Sequence, residues 1–242
     1  MVNKIINSLP QYITRLCVTA TTPTSVMECN KYQKIFSEVY SKGLWGRSND
    51  PTQQFYSGKG SHDNNITSVY LYNVSEYLKN MKNKPNVVDL GCGDFNIGSQ
   101  IRQFCNKYIA CDIVNDLVEY NKNKYKNLSV DFRLLDIVTD QLPDGDIVFI
   151  RQVLQHLSNE SINKIIPKLY QNYRALVLTE HLPLNEFNPN IDKPDGAEIR
   201  LDINSGIVLT EKPFNLQVLE ENIICEAKGY GGVIRTTIYR LK

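Results

Sequence analysis

The stretch Asn86-Val87-Val88-Asp89-Leu90-Gly91-Cys92-Gly93-Asp94-Phe95-Asn96-Ile97-Gly98 sets the reading of the whole chain. Val87, Val88 and Leu90 form a short apolar run, as in a buried strand, and that run leads directly into glycines. Glycine lets the backbone turn sharply and lets a ligand approach main-chain atoms with no Cβ in the way. The helical segment expected next, Ile97 to Phe104, would turn its free N–H groups toward whatever lies over the turn. The spacing Gly91-x-Gly93-x-x-x-x-Gly98 differs from the G-x-G-x-x-G of dinucleotide folds, which argues against a pyrophosphate ligand.

Further strand-like runs follow, each ending in polar residues. Tyr108-Ile109-Ala110-Cys111-Asp112-Ile113 ends in an acid, and an acid at that point of a nucleotide-binding α/β fold accepts hydrogen bonds from ribose hydroxyls. Val130 to Leu135 leads into Asp136-Ile137, and Asp146 to Ile150 leads into Arg151-Gln152-Val153-Leu154-Gln155-His156-Leu157-Ser158. In order and spacing these segments resemble the motifs of class I S-adenosylmethionine (SAM)-dependent methyltransferases. The resemblance implies that Asp89, Gly91, Cys92, Gly93 and Asp94 form the first cofactor motif. It assigns Asp112 and Ile113 to the SAM ribose, Asp136 and Ile137 to the adenine, and Arg151 and Gln152 to the edge where cofactor meets acceptor.

Composition narrows the function further. Lys and Arg total 27 against 26 for Asp and Glu, a net charge of +1, so bulk charge argues against a nucleic-acid partner. The six cysteines, Cys17, Cys29, Cys92, Cys105, Cys111 and Cys225, include no C-x-x-C pair and no zinc spacing with histidine. With no long apolar run for a membrane span or leader, the expectation is a cytoplasmic protein with free thiols and no metal.

Taken in order, the chain begins with Ile5 to Leu9 and Tyr12 to Leu16 as short amphipathic helices, broken near Pro10 and Pro23. A helix follows from Lys31 to about Gly43, carrying Tyr32, Ile35, Phe36, Val39 and Tyr40 at helical spacing. Leu44-Trp45-Gly46 and Tyr56-Ser57-Gly58-Lys59-Gly60-Ser61 then lie in a polar loop, which composition alone reads as a linker. The chain's one tryptophan lies in that loop, however, and Ser-Gly-x-Gly-Ser supplies closely spaced N–H groups suited to an anion. The same stretch resembles a subset of methyltransferases in which the N-terminal segment closes over SAM. That resemblance adds Ser57, Gly58, Gly60 and Ser61 to the cofactor site and Trp45 and Tyr56 to the acceptor site. Residues 1–62 are thus expected to form a cap and residues 63–242 the methyltransferase domain.

From Ile66 on, helices (Ile66–Met81, Ile97–Phe104, Asp116–Lys124, Ser161–Tyr170) alternate with strands, which implies a mainly parallel sheet covered on both faces. A fifth strand is expected over Ala175–Thr179, and a closing hairpin over Asn222–Cys225 and Gly232–Leu241. The resemblance implies a Rossmann-like, seven-stranded α/β fold whose last strand is antiparallel.

Methyl transfer is an in-line displacement, so alignment supplies much of its rate. A hydroxyl acceptor must also lose its proton, which calls for a base or a metal. His156, just after the fourth strand, is the foremost candidate base; the alternative is a helix-capping or supporting histidine. Glu180 and His181 follow the fifth strand at the same edge, as further catalytic candidates or as polar rim. A metal held by Glu180 and His181 with Asp192 or Asp202 has no motif behind it. Gln155, Asn190 and Arg200 are candidate acceptor contacts; the Arg200 guanidinium could grip a phosphate or carboxylate in bidentate fashion or lie on the surface. The expected activity is SAM-dependent methylation of a small molecule or sugar, at oxygen. The rivals are an N-methyltransferase, an RNA methyltransferase and a non-catalytic SAM-binding protein.

Overall fold

Val87–Leu90 is buried along its whole length, as a strand must be when helices cover both faces of its sheet. In the computed structural model, residues 24–242 are described, with side chains from residue 31 onward. The expected short helices before Pro23, and Cys17 and Cys29, lie outside the described residues and side chains. Helix α1 (Thr24–Lys42) and helix α2 (Asn64–Lys79) precede strand β1 (Val87–Leu90). There follow α3 (Asn96–Ile101), β2 (Tyr108–Asp112), α4 (Asn115–Lys124), β3 (Asp131–Leu134), β4 (Ile147–Arg151), α5 (Asn159–Asn172) and β5 (Ala175–Pro183). The hairpin β6 (Glu220–Gly229) and β7 (Gly232–Arg240) closes the chain.

The sheet order is β3-β2-β1-β4-β5-β7-β6. Strands β1 to β5 pair in parallel, whereas β7 runs antiparallel to both β5 and β6. This is the Rossmann-like methyltransferase sheet expected from the sequence. Chain order reverses direction between β1 and β4, and open α/β sheets bind ligands at the carboxyl ends of their strands at such a switch.

Alternation within the central strands divides the core. Val88, Leu90, Val148 and Ile150 face Ile162, Ile165 and Leu169 of α5. Val87 and Phe149 face the other way, onto Tyr70, Val74 and Leu78 of α2 and Ile97 and Ile101 of α3. Successive strand residues point to opposite faces, so one apolar run serves both layers.

Several element boundaries differ from expectation, strand β6 among them at Glu220–Gly229, and two bear on the site. The helix after the glycine turn stops at Ile101 and continues as a 3-10 turn through Phe104. Strand β5 extends four residues past Thr179, because β7 pairs with it as far as Pro183 opposite Gly232. Glu180 and His181 are therefore strand residues with alternating directions, not neighbours on a loop.

Phe95 is fully buried, edge-on to Tyr108, Tyr125 and Phe132. A Cβ on Gly98 would overlap its ring. Gly98→Ala is expected to destabilise the fold by about 1–3 kcal/mol through overpacking, read as a lower urea midpoint with an unchanged slope; an unchanged midpoint would show that the Phe95 cluster has slack.

Candidate active site

The turn after β1 adopts a backbone that side chains resist: Gly91 has φ 76° and Gly93 φ 57°. Neighbouring strands fix it in place. The Gly93 N–H donates to Asp112 Oδ2 (3.0 Å), and Asn121 Nδ2 of α4 donates to the Gly93 carbonyl (2.7 Å). Asp112 Oδ1 accepts from the Val114 N–H (3.1 Å), so this carboxylate closes the loop after β2 as well. Burial raises the Asp112 carboxyl above its ordinary range, against those backbone donors.

Over the turn lies a cavity of about 550 Å³, within the usual range for small-molecule sites, roughly 300–1,000 Å³. Every residue that the sequence assigned to the cofactor lines it. Asp112 stands at the end of β2 with a lone pair to spare beyond its backbone donors, which include the Gly93 and Val114 N–H groups, as a ribose diol requires. Ile113, Leu135, Ile137 and Val138 add apolar walls suited to a purine. Asp136 accepts from the Val138 N–H and the Thr139 hydroxyl, which orders the loop after β3. Asp89 accepts from the Tyr108 hydroxyl (2.9 Å) and is pushed up by burial to about 7. The residues present thus fit an adenosine-bearing cofactor.

The loop before α2 is held on the cavity by the glycine turn itself. The Ser57 N–H donates to Asp94 Oδ2 (3.0 Å), while the Asp94 N–H donates to Ser57 Oγ (2.8 Å). His62 Nε2 (2.6 Å) and Gln53 Nε2 (3.3 Å) reach the same carboxylate oxygen. Arg151, at the end of β4, donates to the Gly60 carbonyl (2.6 Å) and the Ser61 hydroxyl (3.0 Å). Its guanidinium lies 4.9 Å from the Tyr70 ring centroid. Arg151 and Asp94 are therefore fasteners of this loop as well as cavity walls. Sequence reading missed Gln53, His62, Tyr40 and Tyr70, which carry no motif; only the helical spacing of Tyr40 and Tyr70 marked them, and it marked them as core.

At the far end, His156 and Gln155 face the cavity from a 3-10 turn, Leu154–His156, following β4. The His156 ring lies 4.7 Å from that of Trp45, which also packs against Phe36 and Tyr40. Burial holds the His156 imidazole down to about 4, so it is neutral at physiological pH. Its Nδ1 lies 3.3 Å from the Glu198 carbonyl, which can only accept, so Nδ1 carries the hydrogen and Nε2 the lone pair. His181 also reaches the cavity, with its Nε2 donating to the Gly229 carbonyl (3.1 Å).

Four expected site residues lie elsewhere. Glu180 points behind the turn, where its two oxygens accept from the Leu154 and Gln155 N–H groups (3.1 Å each). Burial pushes its carboxyl up to about 8, opposed by the Arg200 guanidinium and those N–H donors. Arg200 is fully buried and donates to the carbonyls of Leu154, Gln155, Leu157 and Ile191 and to Asn159 Oδ1. With its donors committed to these oxygens, it is a backbone clamp and not an anion anchor. Asn190 is buried at φ 60° and bonds to both the N–H and the carbonyl of Val208, bracing the insertion. Tyr56 stacks on His62 in a separate surface hollow of about 370 Å³. Among the described residues, no group of three His, Cys, Asp or Glu is placed to hold a metal ion, and no helix is long and apolar enough to cross a membrane.

A family model described as a methyltransferase domain matches residues 87–175, the span from β1 to the start of β5. No curated protein sequence matches the chain. Among solved structures, the N-methyltransferase NodS from Bradyrhizobium japonicum WM9, in complex with S-adenosylhomocysteine (SAH), is similar at TM-score 0.60 and 12% identity, over 88% of this chain and 100% of that one. The magnesium protoporphyrin IX methyltransferase ChlM from Synechocystis PCC 6803, with bound SAM, is similar at TM-score 0.53 and 16% identity, over 91% of this chain and 99% of that one. A SAM-dependent methyltransferase from Leishmania major is similar at TM-score 0.53 and 14% identity, over 88% and 82%. At these identities the likeness is one of fold.

If Arg200 is a clamp, Arg200→Met should lower stability by about 2–5 kcal/mol, since it strands four buried carbonyls and removes a charge near Glu180. Chemical denaturation measures this; a cost below about 1 kcal/mol, typical of an exposed site, would return Arg200 to the surface.

Proposed function

We propose that this S-adenosylmethionine-dependent methyltransferase of the class I fold methylates a hydroxyl of a small-molecule acceptor, with His156 as the base. One observation carries the reading: a neutral imidazole with its lone pair on Nε2 lies in the wall of the cavity that the glycine turn and Asp112 also line. When bound, SAM would supply a methyl group on a sulfonium, ready for in-line displacement.

The chain's own residues divide the remaining work. Asp112 holds the ribose hydroxyls, and the walls around Ile113 and Ile137 hold the base. The segment from Ser57 to Ser61, fastened by Asp94 and Arg151, covers the cofactor and keeps water from the reacting end, and within the expected cap of residues 1–62 it is the described part, from residue 24 on, that supplies this cover. His156 Nε2 takes the hydroxyl proton. Among the described residues, that nitrogen has one hydrogen-bond contact, the Gln155 amide at 3.3 Å, long enough for an acceptor to displace. A base held down to about 4 exerts a weak pull, so alignment supplies most of the acceleration, and proton loss follows bond formation to the methyl.

Two outcomes test this. Asp112→Ala should weaken SAH binding by about 1–3 kcal/mol in calorimetry, the cost of leaving ribose donors unpaired; unchanged affinity would remove Asp112 from the ribose. A base must be unprotonated to act, so a rate limb due to His156 falls as pH drops through its own pKa. That limb should lie near pH 4 and not near the free-imidazole value of 6.5. His156→Gln should abolish the limb and cut kcat by about 100-fold or more with little change in SAH affinity. A limb near 6.5 that survives the substitution would assign the proton transfer to another group.

A further inference from the structure

The acceptor end of the cavity is built from rings whose polar atoms are already paired. Trp45 Nε1 donates to the Ala197 carbonyl (3.2 Å), the Tyr32 hydroxyl bonds Ser161 Oγ (2.8 Å), and the Tyr40 hydroxyl bonds Ser57 Oγ (2.9 Å). Phe36 and Ile199 add apolar wall. Glu180 and Arg200 face the backbone behind the turn, and of the ionic side chains in the cavity wall Arg151, Asp94 and Asp112 are bonded to the loops on the cofactor side.

Among the described residues, two cavity-lining side chains carry a buried polar atom with no partner: Arg151, through Nε, at the end of β4, and Gln155 beside the rings. The Glu198 carbonyl fixes the His156 hydrogen on Nδ1, so the neighbouring Gln155 must turn its amino group toward the Nε2 lone pair, as the 3.3 Å contact records. That orientation leaves Gln155 Oε1 buried with no hydrogen-bond partner. A buried carbonyl oxygen without a donor costs about 1–3 kcal/mol, which a ligand donor would recover.

We propose that the acceptor is a neutral, planar arene bearing a hydroxyl, which slides its ring against Trp45 and donates its O–H to Gln155 Oε1. The inference rests on the methyltransferase reading above and narrows its acceptor, setting aside the sugar expected from the sequence. A sugar brings several hydroxyls, and each one buried against these walls without a partner is penalised. An aryl hydroxyl brings one, and its ring gains from stacking on the indole. Chemically it is also suited to a weak base. The aryl oxygen forms its bond to the methyl carbon as the carbon–sulfur bond breaks; the electron pair of that bond goes to sulfur, giving the neutral thioether. As the oxygen takes the methyl, its proton leaves Gln155 Oε1 for the lone pair of the adjacent His156 Nε2, where the Gln155 amide now rests, and then passes to solvent, leaving the aryl methyl ether.

Trp45 is the chain's single tryptophan, so its emission reports on this end alone. With SAH bound, p-cresol, its methyl ether p-methylanisole, and methyl glucoside are each titrated while Trp45 emission is followed. Saturable quenching by p-cresol is expected, roughly five- to twenty-fold tighter than by p-methylanisole, with no response to the glucoside. Gln155→Leu should remove that preference for the hydroxyl while p-methylanisole binds as before. If the variant does not fold, the comparison of cresol with its ether in the unsubstituted protein still decides. A response to the glucoside but not to p-cresol, no saturable response to p-cresol, or equal binding of cresol and ether overturns the proposal. SAH binding, measured separately by calorimetry, tells these outcomes from a failure of the cofactor reading: if SAH does not bind, that reading falls first.

Discussion

A buried carboxylate ties this structure together. Asp94 is 1% exposed, and a charge so placed must be met by donors or it would not stay buried. Its partners include the Ser57 N–H, His62, Gln53 and the Asn96 N–H. Three of these come from the segment before α2 and one from the first turn of α3. The glycine turn, the helix after it and the loop above it are thus fixed by one side chain. Exchange of hydrogen bonds between the Ser57 and Asp94 main chains and side chains gives that junction a single register, and hence gives the cavity a defined roof.

A second pair of buried ionic groups acts on the opposite wall. Glu180 takes two backbone N–H groups of the turn after β4, and Arg200 takes three of its carbonyls. Burying either group is expensive in isolation, and here each is offset by hydrogen bonds to main chain that would otherwise be unpaired. The result is a rigid turn that carries Gln155 and His156 at the cavity edge. Neither of these two ionic groups lines the cavity, and the turn they hold presents a neutral imidazole and an amide beside aromatic walls.

The layered fold was legible because it rests on local signals. Apolar runs of strand length alternating with amphipathic helices specify a parallel sheet, and the glycine turn after the first strand with the acids at or just after the ends of the second and third specify which edge binds. Most of the cavity-lining residues expected at the cofactor were legible for the same reason: they follow strand ends, and a strand end has a known address in such a sheet. The acceptor side was read less well. Arg200 and Asn190 looked like ligand contacts because they are polar residues in a long insertion, yet both bond to backbone that lies far away in sequence. Tyr56 stands one residue from Ser57, but its ring turns outward onto His62. Nothing in local sequence separates a guanidinium that meets a ligand from one that meets five protein oxygens.

The sequence by itself determined the order of strands, the glycine turn and the acids at the edge where a cofactor would lie, since all of these depend on neighbours within a few residues. Only the tertiary structure decided that Asp94 and Arg151 fasten the roof, that Glu180 and Arg200 support the turn from behind, and that Gln155 keeps a free oxygen at an aromatic wall. The physical reason is that each of these roles is a matter of which buried polar groups find partners. That accounting is settled by contacts such as His156 with Glu198 and Arg151 with Gly60, between segments that only the completed fold brings together.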